Sequence, residues 1–477
     1  MLNFIEKFLN CFESCFSRKA AFRWFVIIVI GLMMRSDKLG ITSVIRDLAL
    51  RPDCYLSMMH FFRASSWSLK TIQKRWFEAV RKFSPLYKEY DFYILVGDGV
   101  KQSKEGRRMP GVKKLFQESE NSAKPEYIHG HMFGGLGILA GNIGNMACIP
   151  LSIRLHDGLQ TANDWEDASI SCASHVVQMV ENAWQAAKTF GDSLLLLDRY
   201  FLTIPALQRL ATLNQEGCVR MEIVTRAKKS CTAFEKPGPK KPGRGRPAKK
   251  GKTVHLIELF DTCKEQFLEA SVEMYGKMEK VRYYSIDLLW GKKLYQELRF
   301  VLVEYNGKKS ILASTSLTLS PLAIIRLYSY RFRIECTFRE LKQQIGAFCY
   351  HFWSKYMPKL DYYQKKSDPS PLEQVTEEHA RKKVLEAVRA IEMHMQLSCI
   401  SMGIIQSLSI NIADKVPSEK IRYLRTPSKG KLSEATIMYY LRQNIFRLMV
   451  KNPELCITRF IQEQQTATEI YDDLLTF

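Results

Sequence analysis

Three acidic residues, widely separated along the chain, stand where carboxylates can serve phosphoryl chemistry. Asp98 closes the apolar run "YILVGD" and Asp198 closes "LLLLD". Continuous apolar runs of this kind read as central strands buried on both faces. Open α/β sheets bind ligands beyond the carboxyl ends of such strands. Gly97 and Gly99 flank the first aspartate and leave room for close approach. Unpaired carboxylates there are costly, and a cation relieves the cost. Mg²⁺ takes oxygen ligands and uses one or two protein carboxylates per ion. A third acid would complete a two-metal site for in-line phosphoryl transfer, with ions about 3.5–4 Å apart.

Glu335 is the candidate third acid. It lies in "YSYRFRIECTFRELK" (328–342), which holds no proline or glycine and reads as part of one helix from about 320 to 345. At roughly 100° per residue, Tyr328, Arg331, Glu335 and Lys342 share one stripe about 60° wide. Leu327, Ile334, Phe338, Leu341 and Ile345 form the apolar stripe beside it, which docks the helix on the sheet. On this reading Arg331 and Lys342 grip phosphates, and Tyr328 stacks or hydrogen-bonds near the scissile strand. Taken singly, an aspartate at a strand end also suits a cap or turn, and a glutamate among basic residues a surface ion pair.

The elements that must position these groups follow from patterning. Residues 1–88 carry short amphipathic helices, "TSVIRDLAL", "DCYLSMMHFFRA" and "SLKTIQKRWFEAVRKF". They form either a helix-turn-helix-like DNA module or a small bundle serving packing. "FYILVGDGV", "HMFGGLGILAGN" and "MACIPLSIRLHDG" read as strands, followed by a helix near 173–190, the strand "LLLLDRYF" and a helix from about 203. This order indicates an α/β sheet with covered faces. From 218 to 317 strands dominate: "CVRMEIVTRAK", "TVHLIELF", "VRYYSIDLLWG" and a hairpin turning at Asn306-Gly307. Ser370, Pro371 and Glu373 suit the N-cap, N1 and N3 positions of a further helix. Helices near 371–410, 433–449 and 452–472 complete the chain.

Composition bounds the partners. The chain has 477 residues, 46% apolar and 25% charged, with 70 Lys and Arg against 49 Asp and Glu, a net charge of +21. Such an excess attracts polyanions, nucleic acid before an anionic membrane surface. The twelve cysteines are scattered without a CxxC pair, as in a reduced, intracellular protein. "FVIIVIGLMM" (25–34) is too short for a membrane span and suits a buried helix.

Tyr328, Arg331, Glu335 and Lys342 match a Tyr-x2-Arg-x3-Glu-x6-Lys signature, and Asp98 and Asp198 precede it in order. In these residues the chain resembles the bacterial insertion-sequence transposases of the DDE class, insertion-sequence-four type, over roughly residues 90–350. Phe332 stands where relatives often carry Trp. The resemblance implies a ribonuclease-H-like catalytic core in an α/β chain, interrupted by a β-rich insertion, with helical N- and C-terminal regions. The corresponding division is 1–88 helical, 89–217 core, 218–317 insertion, 318–360 second part of the core, and 361–477 helical with a candidate role in dimerisation. It implies that Asp98, Asp198 and Glu335 are catalytic and bind two Mg²⁺ ions, with Mn²⁺ able to substitute. It also implies that Tyr328, Arg331 and Lys342 contact DNA. The substrate would be double-stranded DNA, at the transposon's inverted-repeat ends and at the target. The reaction would be cut-and-paste transposition, through a hairpin on the transposon end. A homodimer would join two ends, in the bacterial cytoplasm at the nucleoid and without a membrane partner. The alternatives are a non-catalytic, domesticated transposase acting as a DNA-binding regulator, and a ribonuclease-H-like nuclease without joining activity.

Other motifs add less. "KPGPKKPGRGRPAKKGK" (236–252) has eight basic residues and no acid. Its Arg244 and Arg246 resemble an AT-hook entering a narrow minor groove, or belong to a flexible loop making nonspecific phosphate contacts. The same stretch departs from P-loop spacing, which excludes nucleotide binding there. His129 and His131 lack further ligands nearby and read as structural.

Overall fold

The computed structural model describes residues 1–477 except 36, 38–39, 118–124, 160–164, 166–172, 239–247, 362–370, 413–431 and 466–477. Ser370, Arg244 and Arg246 therefore lie outside the described residues. Five helices open the chain: α1 (Leu2–Asn10), α2 (Lys19–Met34), α3 (Thr42–Asp47), α4 (Cys54–Phe61) and α5 (Leu69–Phe83). Every residue from Phe25 to Met34 is buried. An apolar helix of that kind needs protein on all sides, and α2 finds it against its neighbours α3 and α4 and against C-terminal helices. Among the described residues no helix is long and apolar enough to cross a membrane.

The central part is a mixed α/β structure. Strands β1 (Lys88–Glu89), β2 (Phe92–Ser103), β3 (Lys113–Phe116), β4 (Tyr127–Asn142) and β5 (Asn145–Leu155) precede α6 (His175–Phe190), β6 (Ser193–Leu197), α7 (Ile204–Gln215) and β7 (Met221–Ala227). Then come β8 (Thr232–Phe234), β9 (Thr253–His255), α8 (Leu259–Thr262), β10 (Leu268–Met274), β11 (Lys277–Trp290), β12 (Gln296–Tyr305) and β13 (Lys308–Ser314). All these strands join one large sheet, in the order β3-β4-β2-β6-β7-β13-β12-β11-β8-β9, with β1 on β2, β5 on β4 and β10 on β11. β2, β6 and β7 run parallel and the remaining pairings are antiparallel. The β-rich stretch after 218 thus continues the sheet that carries the two aspartates, through β7 and β13.

The hairpin between β12 and β13 turns where expected. Asn306 and Gly307 both have positive φ, 48° and 70°, as a two-residue type I′ turn requires. "TVHLIELF" departs from expectation, because only Thr253–His255 is strand and Leu259–Thr262 is helix. Its buried residues, Leu256 and Phe260, are four apart with Glu258 exposed between them, whereas a pleated face would bury position 258 as well.

The stretch read as one helix from 320 to 345 is three pieces: α9 (Pro321–Ser329), α10 (Phe332–Glu340) and a π-helical turn, Leu341–Ile345. Ser320 caps the first, its Oγ accepting from the Ala323 N–H at 3.2 Å. Near the junction the backbone tightens to three-residue spacing. Tyr330 N–H donates to Leu327 O at 3.0 Å and Arg333 N–H to Tyr330 O at 2.9 Å. Gly346, with φ of 62°, ends the π turn in the left-handed conformation. After a 3-10 turn at Pro371–Gln374, α11 (Glu378–Asn411), α12 (Glu434–Val450) and α13 (Cys456–Gln462) complete the described chain. α11 lies across β5 and packs on α2 and α5, tying the helical termini to the sheet.

Candidate active site

The two aspartates owe their positions to buried parallel strands. Ile94, Leu95 and Val96 of β2 and Leu194 to Leu197 of β6 are fully buried, and Val96 pairs with Leu196. Paired residues share a face and side chains alternate along a strand. Asp98, and Asp198 just past the end of β6, therefore project on the side of Val96 and Leu196. That side carries α10. Asp98 pairs with Gly135 of β4, and a Cβ on Gly135 would lie 2.5 Å from the Phe338 ring. Gly97 and Gly99 point the opposite way. A Cβ on Gly97 would meet the Met179 sulfur at 2.7 Å, and one on Gly99 the His175 Nε2 at 3.0 Å. Their missing side chains admit α6, and do not open a path to Asp98.

Arg331 links two of the three acids. Its Nη1 donates to Asp98 Oδ2 at 3.1 Å, and its Nη2 donates to Glu335 Oε1. Asp98 Oδ1 accepts from the Gly99 N–H at 2.8 Å. Burial pushes the Asp98 carboxyl up to about 6, with Arg331 and the Gly99 N–H opposing the shift and Glu335 and Asp198 adding to it. Burial also disfavours the Arg331 charge, yet Asp98, Tyr328, Glu335 and Asp198 together hold it above the ordinary arginine range. Tyr328 is raised as well, first by burial and then by Asp198 and Asp98, which Arg331 and Arg226 oppose. The tyrosine, the arginine and the three acids thus feel one another. Lys342, on the π turn, sits 5.4 Å from the Phe348 ring centre. Phe332 is half exposed at the junction of α9 and α10.

Two clefts flank this group. One, about 310 Å³, is lined by Asp98, Glu335, Phe338, Arg339 and Lys342. The other, about 580 Å³, is lined by Asp198, Arg199, Tyr200, Arg226, Lys228, Lys229 and Lys309. Thr225 of β7 fixes the Asp198 backbone, its Oγ1 donating to the Asp198 carbonyl at 2.8 Å. The basic residues of the second cleft escaped the sequence reading. Their signal was present in "VTRAKK", which stands at the carboxyl end of the parallel strand next to β6, under the rule that located the aspartates.

The donor chemistry suits a hard divalent cation, since carboxylate oxygens are the ligands Mg²⁺ and Mn²⁺ prefer. Burial first, and then the charges of Glu335 and Asp198, raise the Asp98 carboxyl, and a bound cation would offset both. In the arrangement described here the Arg331 guanidinium holds the place between Asp98 and Glu335. Among the described residues no three His, Cys, Asp or Glu groups close into a metal cage. The acids are brought to one face and within electrostatic reach, not to ligand distance.

A family model of DDE superfamily endonucleases matches residues 11–261. The chain belongs to this superfamily. A transposase DDE domain model matches residues 170–355, so the two spans overlap across β6 and together take in all three acids. No curated protein and no solved structure matches the chain. A DDE transposase or endonuclease is a nuclease-type enzyme whose substrate is DNA, and the superfamily works with divalent metal ions.

Away from the acids, buried histidines make this DDE enzyme acid-sensitive. His131 is fully buried, its Nδ1 2.5 Å from Tyr350 Oη and its Nε2 2.9 Å from Pro110 O, which is the structural role expected for it. Burial lowers His131 and His394 to about 3 and His175 to about 4, and holds His156 well down too. Such groups are neutral when folded and take up protons when unfolded below pH 6.5. Their stability contribution is full above pH 6.5 and is lost as pH falls toward the folded values, at about 1.4 kcal/mol per pH unit for each group. Asp98 works in the opposite sense, because its carboxyl is protonated more readily when folded. With four histidines against one aspartate, the melting temperature falls between pH 6.5 and 5, and thermal melts across that range check it.

Proposed function

We propose that this chain is a cut-and-paste DNA transposase of the insertion-sequence-four type, with Asp98, Asp198 and Glu335 as its catalytic acids on a ribonuclease-H-like core. The observation that carries the reading is the Arg331 bridge. It joins the acid of a central strand to the acid of the signature helix, with Tyr328 and Asp198 in electrostatic reach. Asp98, Asp198 and Glu335 would hold two Mg²⁺ ions, or Mn²⁺, which when bound neutralise charge on the reacting phosphate and activate the attacking oxygen.

The chain's own residues orient the DNA. Lys342 beside Glu335, and Arg199, Arg226, Lys228, Lys229 and Lys309 beside Asp198, offer cationic walls on both sides of the acids. A strand lying across them places one phosphodiester over the three carboxylates. Water attacks phosphorus, the bond to the 3′ oxygen breaks, and the products are a 3′-hydroxyl and a 5′-phosphate. The freed hydroxyl then attacks a second phosphodiester, exchanging one bond for another without ATP. In this reading the opposite strand is attacked first, which closes a hairpin that is reopened before joining to target DNA. Displaced bases need a surface to stack on, and the exposed Phe332 ring next to Arg331 suits that task. Two copies would pair to hold two transposon ends.

The test is a Mg²⁺-dependent assay on DNA carrying the element's ends, scored for nicks, hairpins and joined product. Nicking with joining supports transposition. Nicking without joined product leaves a nuclease, and binding without nicking leaves a regulator. The basic cleft makes its own prediction. Replacing Lys228 and Lys229 by Ala weakens DNA binding about equally for all sequences. It also lowers the slope of log affinity against log salt by about 2, close to one for each phosphate that is no longer neutralised. Titrations at several salt concentrations check it.

A further inference from the structure

Arg35, directly after α2, is 1% exposed, yet the described structure gives it little to pair with. Its Nη1 donates to Gly40 O at a long 3.4 Å, while its Nε and Nη2 are buried without a hydrogen-bond partner. The closest acid in sequence, Asp37, is engaged by Arg46 at 2.5 Å. A buried, uncompensated guanidinium costs several kcal/mol, so a protein that keeps one has an anion to set against it. Burial lowers the affinity of Arg35 for its proton, and the opposing influence of Cys349, Asp37 and Asp47 does not cancel it.

Arg35 is among the residues lining a cavity of about 170 Å³ between α2, α3, α4, α11 and the irregular segment Cys349–Phe352. A second unpartnered polar atom, His394 Nε2 of α11, belongs to a residue lining the same cavity. The rest of the wall is largely apolar: Ile28, Leu32, Met59 and Phe62 among others. An engineered apolar cavity of about 150 Å³ takes up benzene, so the size suits one ring. The cavity is far from a phosphate-gripping surface in character, because it has one charged head position and an apolar body.

We propose that this cavity is a binding site for a small carboxylate with an apolar, ring-sized body, its anionic oxygens on Arg35 and its body against α2 and α4. The occupant contacts the segment that directly follows the π turn carrying Lys342, so it ties the N-terminal helices to the back of the Glu335 helix. This assignment is independent of the DNA chemistry proposed above, and binding alone tests it.

Sodium benzoate is the probe, with benzyl alcohol as its neutral counterpart, in calorimetric and thermal-shift titrations of the full chain. Benzoate is expected to bind saturably at one site and raise the melting temperature, with benzyl alcohol at least tenfold weaker. Arg35→Met is expected to weaken benzoate at least tenfold, and Met59→Trp, which fills the cavity without touching the charge, to do the same. If Arg35→Met does not fold, Met59→Trp and the comparison of the two ligands on the unaltered chain decide. Absence of saturable binding, equal affinity for benzyl alcohol, or benzoate binding that survives both variants would overturn the proposal.

Discussion

Asp98→Asn is expected to abolish Mg²⁺-dependent nicking, by about 10³-fold or more, as removing one member of a catalytic unit does, while leaving the fold intact. The two halves of that expectation come from different contacts. Asp98 is the acid on the central strand, and its carboxylate is already disfavoured by burial and by the charges of Glu335 and Asp198. An amide in its place keeps an oxygen for the Gly99 N–H and keeps Arg331 paired with Glu335. It loses the negative charge that a cation would need, and with it the oxygen that accepts from Arg331 Nη1. A melting temperature close to that of the unaltered chain, with nicking lost, is the expected pair of results. Unchanged nicking would remove Asp98 from the mechanism.

Arg331→Met is expected to act on stability as well as on chemistry. The guanidinium is mostly buried and donates to both Asp98 and Glu335. Without it three carboxylates face one another with no positive charge between them. Breaking a buried pair costs about 3–5 kcal/mol, and the partial exposure of Glu335 reduces this, so a loss of roughly 2 kcal/mol is expected. The signature of the cause is its cure. Added Mg²⁺ or Mn²⁺ should raise the melting temperature of the variant more than that of the unaltered chain, because a cation enters where the guanidinium stood. Thermal melts with and without the ions measure the difference. An equal response in both proteins would mean that Arg331 does not stand in a cation's place.

The parts of this site written in local pattern were legible in the sequence. The strands carrying Asp98 and Asp198 could be placed because "YILV" and "LLLL" are short, uninterrupted apolar runs, as strands buried on both faces are, but β2 runs on past Asp98 to Ser103 and only Asp198 stands at a strand end. Glu335 and Arg331 could be placed on one helical stripe because four-residue spacing survives locally, and their ion pair spans one turn. What local pattern does not encode is direction and breakage. Gly97 and Gly99 gave no sign that they face α6, since that depends on which side of the sheet each helix packs. The junction at Tyr330–Arg331 carries no proline or glycine, and its tightened turn follows from packing. The pairing of β7 with both β6 and β13 is a long-range fact, and with it came the basic cleft beside Asp198. Arg35 directly follows the apolar run of α2, and nothing local marks it, because its isolation depends on elements hundreds of residues away.

The central claim, that three distant carboxylates act as one unit, is tested most directly by nicking rates of Asp98→Asn, Asp198→Asn, Glu335→Gln and the triple variant in Mg²⁺. Groups that work as a unit lose nearly everything with the first removal. Each single variant should therefore fall about as far as the triple. A single variant that nicks at the rate of the unaltered chain, or losses that add step by step across the three, would contradict it.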